Sequence, residues 1–197
     1  MKIAAVVLAA GTSSRMGSNK LLADMGGRPL IARTVQNILA SRANKVFVVT
    51  GHQAEEVRAA LQIEDVEFIH NREFASGLAS SVRVGVAAAK DFDAVLICLG
   101  DMPLVPPQIL DKMMETCDLT EGRDLVVPIH KGKLGNPVLW GSRYFAELGA
   151  LQGDRGAREL IGKYRERVCE VEVGDGAVVL DADTPEALAH IKSIAGF

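Results

Sequence analysis

The chain has 197 residues, a formal net charge of −3, three cysteines and 48% hydrophobic residues. This length suits one domain, with room for a small subdomain, and the slightly acidic balance argues against a general nucleic-acid-binding protein. The cysteines Cys98, Cys117 and Cys169 lie too far apart for a zinc or redox motif, which favours a reduced, cytoplasmic setting. The apolar run after Lys2 is too short for a signal peptide and is followed by a motif, and no stretch is long enough to cross a membrane.

Apolar runs of strand length alternate with helical patterns along the chain. Strands are predicted at 3–10, 45–50, 66–70, 94–99, 125–128, 138–140, 168–173 and 178–180. Helices are predicted at 30–39, 53–61, 77–90, 106–117, 156–163 and 185–194. The alternation predicts an α/β fold in three layers, with a doubly wound, mostly parallel sheet and a Rossmann-like nucleotide-binding half. Such sheets bind ligands beyond the carboxyl ends of their strands.

The first strand stops at Gly11 and a small, polar loop follows. Glycines let backbone amides approach an anion closely, and Arg15 and Lys20 are the usual cations for phosphate oxygens. The loop therefore predicts a triphosphate site with Arg15 and Lys20 as catalytic cations. The predicted nucleotide-binding residues of this stretch are Leu8, Ala9, Ala10, Gly11, Thr12 and Ser13.

Two established phosphate-binding motifs do not fit this loop. A Walker loop requires Gly-Lys-Ser/Thr, and here the chain reads Ser18-Asn19-Lys20. A dinucleotide fingerprint requires three spaced glycines and an acidic residue closing the second strand, whereas that strand ends in Thr50-Gly51. A flexible loop with two solvated cations is the remaining alternative from spacing alone.

Two acidic segments complete the pattern. Asp101 follows the apolar strand 94–99, where a carboxylate could hold a divalent cation beside phosphates; the alternative is a turn before Pro103. Asp181 and Asp183 point the same way if their segment is extended, so one of them could complete a metal site with Asp101. Asp181 is the favoured ligand, and Asp183 is predicted as either a ligand or a cap. Asp183 or Thr184 could instead cap the helix that begins at Pro185.

The motif Leu-Ala-Ala-Gly-x-Ser-x-Arg-Met-Gly-x-x-Lys, residues 8–20, resembles the signature of nucleotidyltransferases that act on the molybdenum cofactor and on sugar phosphates. It is most similar to that of the molybdenum cofactor cytidylyltransferases, and later segments extend the likeness over nearly the whole chain. The resemblance implies one domain, 1–197, in which about 1–105 bind the nucleotide and about 106–197 the acceptor. It also implies an Mg²⁺-dependent enzyme.

The resemblance assigns further residues to each substrate. Those implied for the nucleotide are Asn71, Gly77, Ser80 and Ser81, and the end of the second strand adds Thr50 and Gly51. Those implied for the acceptor are Gly135, Asn136, Pro137, Asp154, Gly156 and Arg158. The family commonly has histidine where this chain has Asn136, which bears on which acceptor is used.

The implied reaction joins the nucleotide of CTP to phosphorylated molybdopterin and releases pyrophosphate. The likeness makes a molybdoenzyme or a maturation factor a candidate protein partner and adds no nucleic-acid or membrane partner. Ala10-Gly11 favours CTP, since the guanylyl-transferring relatives more often have Gly-Gly there. The alternatives are another nucleotide or phosphorylated metabolite, a dinucleotide-dependent oxidoreductase, and a non-catalytic cofactor carrier.

Overall fold

The computed structural model describes residues 1–13, 17–62, 64–154, 156–174 and 176–197. The strands are β1 Ile3–Ala9, β2 Lys45–Thr50, β3 Glu67–His70, β4 Ala94–Leu99, β5 Leu125–His130, β6 Lys133–Leu134, β7 Val138–Gly141 and β8 Val168–Glu172. The helices are α1 Leu30–Leu39, α2 Ala54–Ala60, α3 Leu78–Ala88, α4 Pro107–Thr116, α5 Phe145–Leu148, α6 Arg158–Lys163 and α7 Pro185–Ala195.

The described strands form one sheet in the order β3-β2-β1-β4-β7-β5-β6, with β8 paired to β5. Strands β1 to β4 are parallel, β7 is antiparallel to both β4 and β5, and β8 is parallel to β5. The prediction of a mostly parallel α/β sheet is therefore confirmed. Among the described helices, none combines the length and hydropathy needed to span a bilayer.

Helices cover both faces of the sheet and produce two cores. Helices α1, α2, α4 and α7 contribute to one core, and α3, α5 and α6 to the other. All seven residues of β1 are buried, with Ala5 and Val7 in the first core and Ala4 and Val6 in the second. A strand buried on both faces is continuously apolar in sequence, which explains why β1 was predicted so clearly.

The prediction of a strand at 178–180 is wrong. Gly176–Val179 form a 3₁₀ turn, whose Ala177 and Val178 are buried. The Val178 carbonyl accepts a hydrogen bond from the Asn136 N–H at 2.8 Å. Val178 fills the core from a turn and not from a strand of the sheet. Because β-branched residues are typical of strands, the sequence led to the wrong prediction here. Strand β6 and helix α5 were not predicted, and the other named strands and helices begin and end within two residues of their expected positions.

Candidate active site

The carboxyl ends of β1 and β4 lie side by side and bring the glycine loop next to Asp101. Leu8 pairs with Leu99 in register, and the Gly100 N–H donates to the Leu8 carbonyl at 3.0 Å. A Cβ on Gly100 would lie 2.9 Å from that carbonyl oxygen, so a side chain there would push the two strand ends apart. Glycine at this position allows the chain to leave β4 directly beside the loop.

Three carboxylates and one ammonium group meet at this edge. Asp101, Asp181 and Asp183 each place one carboxylate oxygen within 4.8 Å of the others. The Lys20 Nζ donates to Asp101 Oδ2 and to Asp183 Oδ1. The Ala182 N–H donates to the Asp101 carbonyl at 3.2 Å, which ties the 181–183 segment to the end of β4. We call these three carboxylates the acidic trio.

Thr184, and not Asp183, caps α7. The Thr184 Oγ1 accepts from the Ala187 N–H at 3.2 Å, and Pro185 occupies the first turn. The carboxylate of Asp183 instead contacts Lys20. Thr184 therefore supplies the hydrogen bond that caps α7, and Asp183, the alternative cap considered from the sequence, is not needed for it.

The local charges shift two pKa values. Burial and the nearby charges of Asp101 and Asp183 raise the pKa of Asp181. Burial lowers the pKa of Lys20, but its contacts with Asp101 and Asp183 outweigh that effect and raise it overall, so Lys20 is an ammonium at neutral pH. Oxygen ligands on closely spaced carboxylates suit a hard divalent cation, and the acidic trio supplies such a set.

A cavity of about 380 Å³ opens beside the acidic trio. Most of the loop residues that were predicted to bind the nucleotide line this cavity. The predicted residues that line it are Leu8, Ala10, Gly11, Thr12, Ser13, Lys20, Gly77, Ser81, Asp101, Asp154, Asp181 and Asp183. Arg15 lies outside the described residues, so its catalytic role stays a prediction.

Several residues predicted to bind the nucleotide lie behind the cavity wall. Ala9 packs into the opposite core, and Thr50 is fully buried. A Cβ on Gly51 would lie 2.8 Å from the Ala10 Cβ, so this glycine allows close packing behind the loop. Direct contacts of Ala9, Thr50 and Gly51 with a nucleotide stay predictions.

Asn71 joins the end of β3 to the start of α3. Its Nδ2 donates to Ser80 Oγ at 2.8 Å and to Ser81 Oγ at 3.0 Å, and its Oδ1 accepts from the Glu73 N–H at 2.9 Å. All of the side chain's polar atoms thus have partners within the fold. Asn71 and Ser80 position the helix, whereas Ser81 also reaches the cavity.

A second cavity of about 580 Å³ adjoins the first, and the two share Leu8, Leu78, Leu99, Asp154 and Asp181. Of the residues predicted to bind the acceptor, Gly135, Asn136, Asp154 and Arg158 line it. Its remaining wall is largely apolar, with Val82, Ile97, Val138, Trp140 and Ile161. The acidic trio thus lies where the two cavities meet, through Asp181.

Pro137 and Gly156 are not among the residues lining this second cavity. Gly156 has φ +56°, and a Cβ there would lie 2.9 Å from Leu78 Cδ2. Gly156 therefore packs closely against the start of α3. Contacts of Pro137 and Gly156 with an acceptor stay predictions.

Sequence reasoning assigned Leu8 and Ala10 but missed other apolar residues in the walls of the two cavities. Phe74, Ala75 and Leu78 line the first cavity, and Trp140 the second. One signal was present for Trp140: it alternates with Val138 on a short strand directly after Gly135-Asn136-Pro137, and so shares a face with Val138. Phe74 and Ala75 lie in the 3₁₀ turn Phe74–Ser76, which is too short for periodicity to indicate the direction of a side chain.

Comparison with known proteins places the chain in a family. Residues 5–168 match the model of the MobA-like NTP transferase domain. The bifunctional protein GlmU of Shouchella clausii is 28% identical over 96% of this chain and 41% of its own length, so the chain spans about two-fifths of that curated relative.

Two solved structures share the whole fold. A Methanothermobacter nucleotidyl transferase, Mth528, has a TM-score of 0.87 and 27% identity, covering 98% of this chain and 97% of its own. Rv0371c of Mycobacterium tuberculosis, as a manganese complex, has a TM-score of 0.83 and 26% identity, covering 98% and 99%. The chain belongs to the MobA-like NTP transferase family and has the fold of its nucleotidyltransferases.

Proposed function

We propose that this nucleotidyltransferase moves CMP from CTP to a phosphorylated acceptor, molybdopterin, and releases pyrophosphate. The observation that carries the proposal is the position of Lys20 and the acidic trio, beside one cavity and, through Asp181, at its junction with a second. A donor phosphate and an acceptor phosphate bound in adjoining cavities would meet at that junction. Positioning two reactants in this way supplies much of the catalysis in phosphoryl-group chemistry.

The reaction needs no general base. An oxygen of the acceptor phosphate attacks the α-phosphorus, the bond from that phosphorus to the oxygen bridging to the β-phosphate breaks, and pyrophosphate leaves with the electron pair. A phosphate monoester has a second pKa of about 6 and is mostly dianionic at neutral pH. The protein's part is therefore to align the two substrates and offset their charge.

We assign the charged residues as follows. Arg15 and Lys20 bind donor phosphate oxygens, and Asp101, Asp181 and Asp183 would hold Mg²⁺. An octahedral Mg²⁺ with bonds of about 2.1 Å has ligand oxygens about 3.0–4.2 Å apart. The trio's oxygens lie within 4.8 Å of one another, so small side-chain adjustments fit them to the ion. When bound, the ion would neutralise phosphate charge. The manganese complex of the similar Rv0371c supports a divalent cation.

We propose that the chain divides functionally near residue 105. Residues 1–105 supply most of the wall of the first cavity, including the 11–13 loop segment and Ser81 at the start of α3. The later part of the chain supplies Gly135, Asn136 and Arg158 to the second cavity. In this arrangement the nucleotide occupies the first cavity and the acceptor the second.

The apolar part of the second cavity suits the flat ring system of a heterocyclic acceptor. Val82, Ile97, Val138 and Ile161 form this part of the wall. The polar part, with Asn136, Asp154, Arg158, Glu159 and Asp181, offers partners for the phosphate and the polar atoms of an acceptor. Trp140 adds a flat ring whose Nε1 is buried without a hydrogen-bonding partner among the described residues, and arginine at position 158 suits an acceptor phosphate at the rim.

A matrix of substrates tests the proposal. Thermal-shift measurements with Mg²⁺ and CTP, GTP, ATP or UTP identify the nucleotide, and pyrophosphate release is then measured with molybdopterin or a sugar 1-phosphate as acceptor. We expect the largest shift with CTP and release that depends on molybdopterin. If GTP is the one nucleotide that supports release, GTP takes the place of CTP in the proposal. No release with any pair of nucleotide and acceptor would reject the proposal.

A further inference from the structure

The Lys20 ammonium lies between two of the three carboxylates proposed to bind metal. Its Nζ contacts both Asp101 Oδ2 and Asp183 Oδ1, and the side chains of Lys20 and Asp101 are 16% and 10% exposed. The third carboxylate, Asp181, places an oxygen within 4.8 Å of the other two. In this state a positive charge from the chain itself already neutralises part of the acidic trio.

A divalent cation cannot share this position with the ammonium. To reach Asp101 and Asp183 together, an ion must lie about 2.1 Å from an oxygen of each. The Lys20 Nζ occupies the space between those two carboxylates, and a second positive charge there would be repelled at close range. Entry of the ion therefore requires the Lys20 side chain to leave at least one of its partners.

The Lys20 backbone is held in place, while its side chain borders the first cavity. The Lys20 N–H donates to Ser13 Oγ at 3.2 Å, and Asn19 caps the turn Lys20–Leu22 through the Leu21 N–H at 3.1 Å. Lys20 lines the first cavity together with Gly11 and Thr12. From this fixed backbone the flexible four-carbon stem can turn the ammonium from the carboxylates to phosphate oxygens in that cavity.

We propose that Lys20 closes the metal site of the nucleotide-free protein, so that the divalent cation binds together with the triphosphate that draws Lys20 away. This inference rests on the proposed role of the acidic trio as the metal site. The exchange keeps the charge balanced: the ammonium passes from carboxylates to phosphates, and the cation replaces it among the carboxylates. The free protein then binds metal weakly, and the metal–nucleotide complex binds as a unit.

The test measures Mn²⁺ binding in the absence of nucleotide, from the electron paramagnetic resonance signal of free Mn²⁺. We expect the wild-type protein to bind with a Kd on the order of 1 mM or weaker. The Lys20→Met variant should bind about tenfold more tightly or better, because the competing charge is gone. Lys20→Arg keeps a cation and should remain close to the wild type.

The matched control is Lys45→Met, since Lys45 lies at the amino end of β2, away from the carboxyl ends that form the site, and its Nζ lies 3.5 Å from Glu67 Oε2. It should bind Mn²⁺ like the wild type. Equal affinities of wild type and Lys20→Met would overturn the inference, and so would micromolar affinity of the wild type, which is decisive even if the variant does not fold. Because no catalysis is measured, failure of the proposed reaction would appear separately, as absent pyrophosphate release.

Discussion

Gly77 approaches Gly153 so closely that a Cβ on Gly77 would lie 2.7 Å from the Gly153 carbonyl oxygen. The same carbonyl accepts a hydrogen bond from the Ala79 N–H at 3.1 Å. The contact joins the start of α3, in the first half of the chain, to the segment that carries Asp154. Since Asp154 lines both cavities, this contact fixes where the two cavities meet.

We therefore expect Gly77→Ala to damage both stability and the site. Gly77 has φ +105° and ψ 173°, a region used almost only by glycine, and an alanine there costs about 1–3 kcal/mol before the clash is counted. Nucleotide affinity should fall together with the free energy of unfolding. Denaturant unfolding and nucleotide titration measure the two effects.

Gly132→Ala is the control for Gly77→Ala. Gly132 has φ +76°, and a Cβ there meets nothing within 4 Å, so the substitution carries backbone strain of about 1–2 kcal/mol without a clash. It should leave nucleotide affinity unchanged. If Gly77→Ala binds the nucleotide as well as the Gly132 variant does, the close contact has no role in shaping the site.

Asp101→Asn should abolish transfer while the protein stays folded. The amide has nearly the same shape but lacks the charge that holds a divalent cation, and losing one charge-stabilising contact typically costs about 3–4 kcal/mol of barrier. We expect pyrophosphate release to fall by a factor of about a hundred or more. Asp111→Asn, on α4 and bonded to the Arg42 N–H at 2.8 Å, should retain the rate.

A non-catalytic carrier would behave differently. It would tolerate Asp101→Asn without loss of function, because such a protein needs nucleotide binding but not phosphoryl chemistry. Circular dichroism and thermal unfolding of both variants separate lost chemistry from lost structure. Normal pyrophosphate release by folded Asp101→Asn would exclude this carboxylate from the reaction.

Asp181 should destabilise the metal-free protein at neutral pH. Burial, followed by the charges of Asp101 and Asp183, raises its pKa above the ordinary value of 3.8, so the folded protein disfavours the ionised form. For an acid with a raised folded-state pKa, this cost is fully present above that pKa and disappears below the unfolded value. Asp181→Asn should therefore raise Tm at pH 8 in EDTA, and the gain should vanish as the pH falls towards 3.8.

Bound metal should reverse the order of the two Tm values, so that the wild type becomes the more stable protein. Adding Mg²⁺ and CTP at pH 8 should stabilise the wild type more than Asp181→Asn, because only the wild type keeps all three carboxylates. Thermal unfolding with and without these ligands gives both comparisons. If the Tm of Asp181→Asn in EDTA at pH 8 is lower than that of the wild type, the folded protein does not raise the pKa of Asp181.

Trp140→Phe should act on the acceptor and not on the nucleotide. Phenylalanine keeps an aromatic ring at this fully buried position but is smaller, so it changes the shape of the second cavity's wall. A loss of about 0.5–1.5 kcal/mol of apolar contact with the acceptor corresponds to a rise in acceptor KM of about 2- to 13-fold. Steady-state kinetics with each substrate varied in turn provide the measurement, and an equal rise in both KM values would contradict the assignment of the two cavities.

The strands of the parallel half were predictable because burial on both faces leaves a direct signature. Strands β1 and β4 are apolar runs that end at glycine, and the residues after them, Gly11 and Asp101, lie at the ligand edge, as parallel sheets require. The carboxyl-end rule thus connected two loops that are ninety residues apart in sequence. Asp101 was predicted on this basis and on the family resemblance, without any knowledge of the sheet order. The prediction of Asp181 and Asp183 instead used the resemblance and an extended segment, and the strand expected before them is a 3₁₀ turn.

The contacts between distant segments were not predictable. The Lys20 contact with Asp183 joins residues separated by 163 positions, and no local pattern indicates it. Val178 illustrates a wrong prediction from a local pattern. Its β-branched side chain indicated a strand, but it fills a core from a 3₁₀ turn. The resemblance assigned Asn71 to the nucleotide, and the structure shows its amide bonded within the fold, so its contact with a nucleotide stays a prediction.

The most direct measurement is a crystal structure with Mn²⁺ and a non-hydrolysable CTP analogue, in which anomalous scattering locates the metal. We expect the manganese peak among Asp101, Asp181 and Asp183, with the triphosphate along Gly11–Lys20 and the Lys20 ammonium on phosphate oxygens. A manganese ion and triphosphate bound away from both that loop and Asp101 would contradict the proposed site.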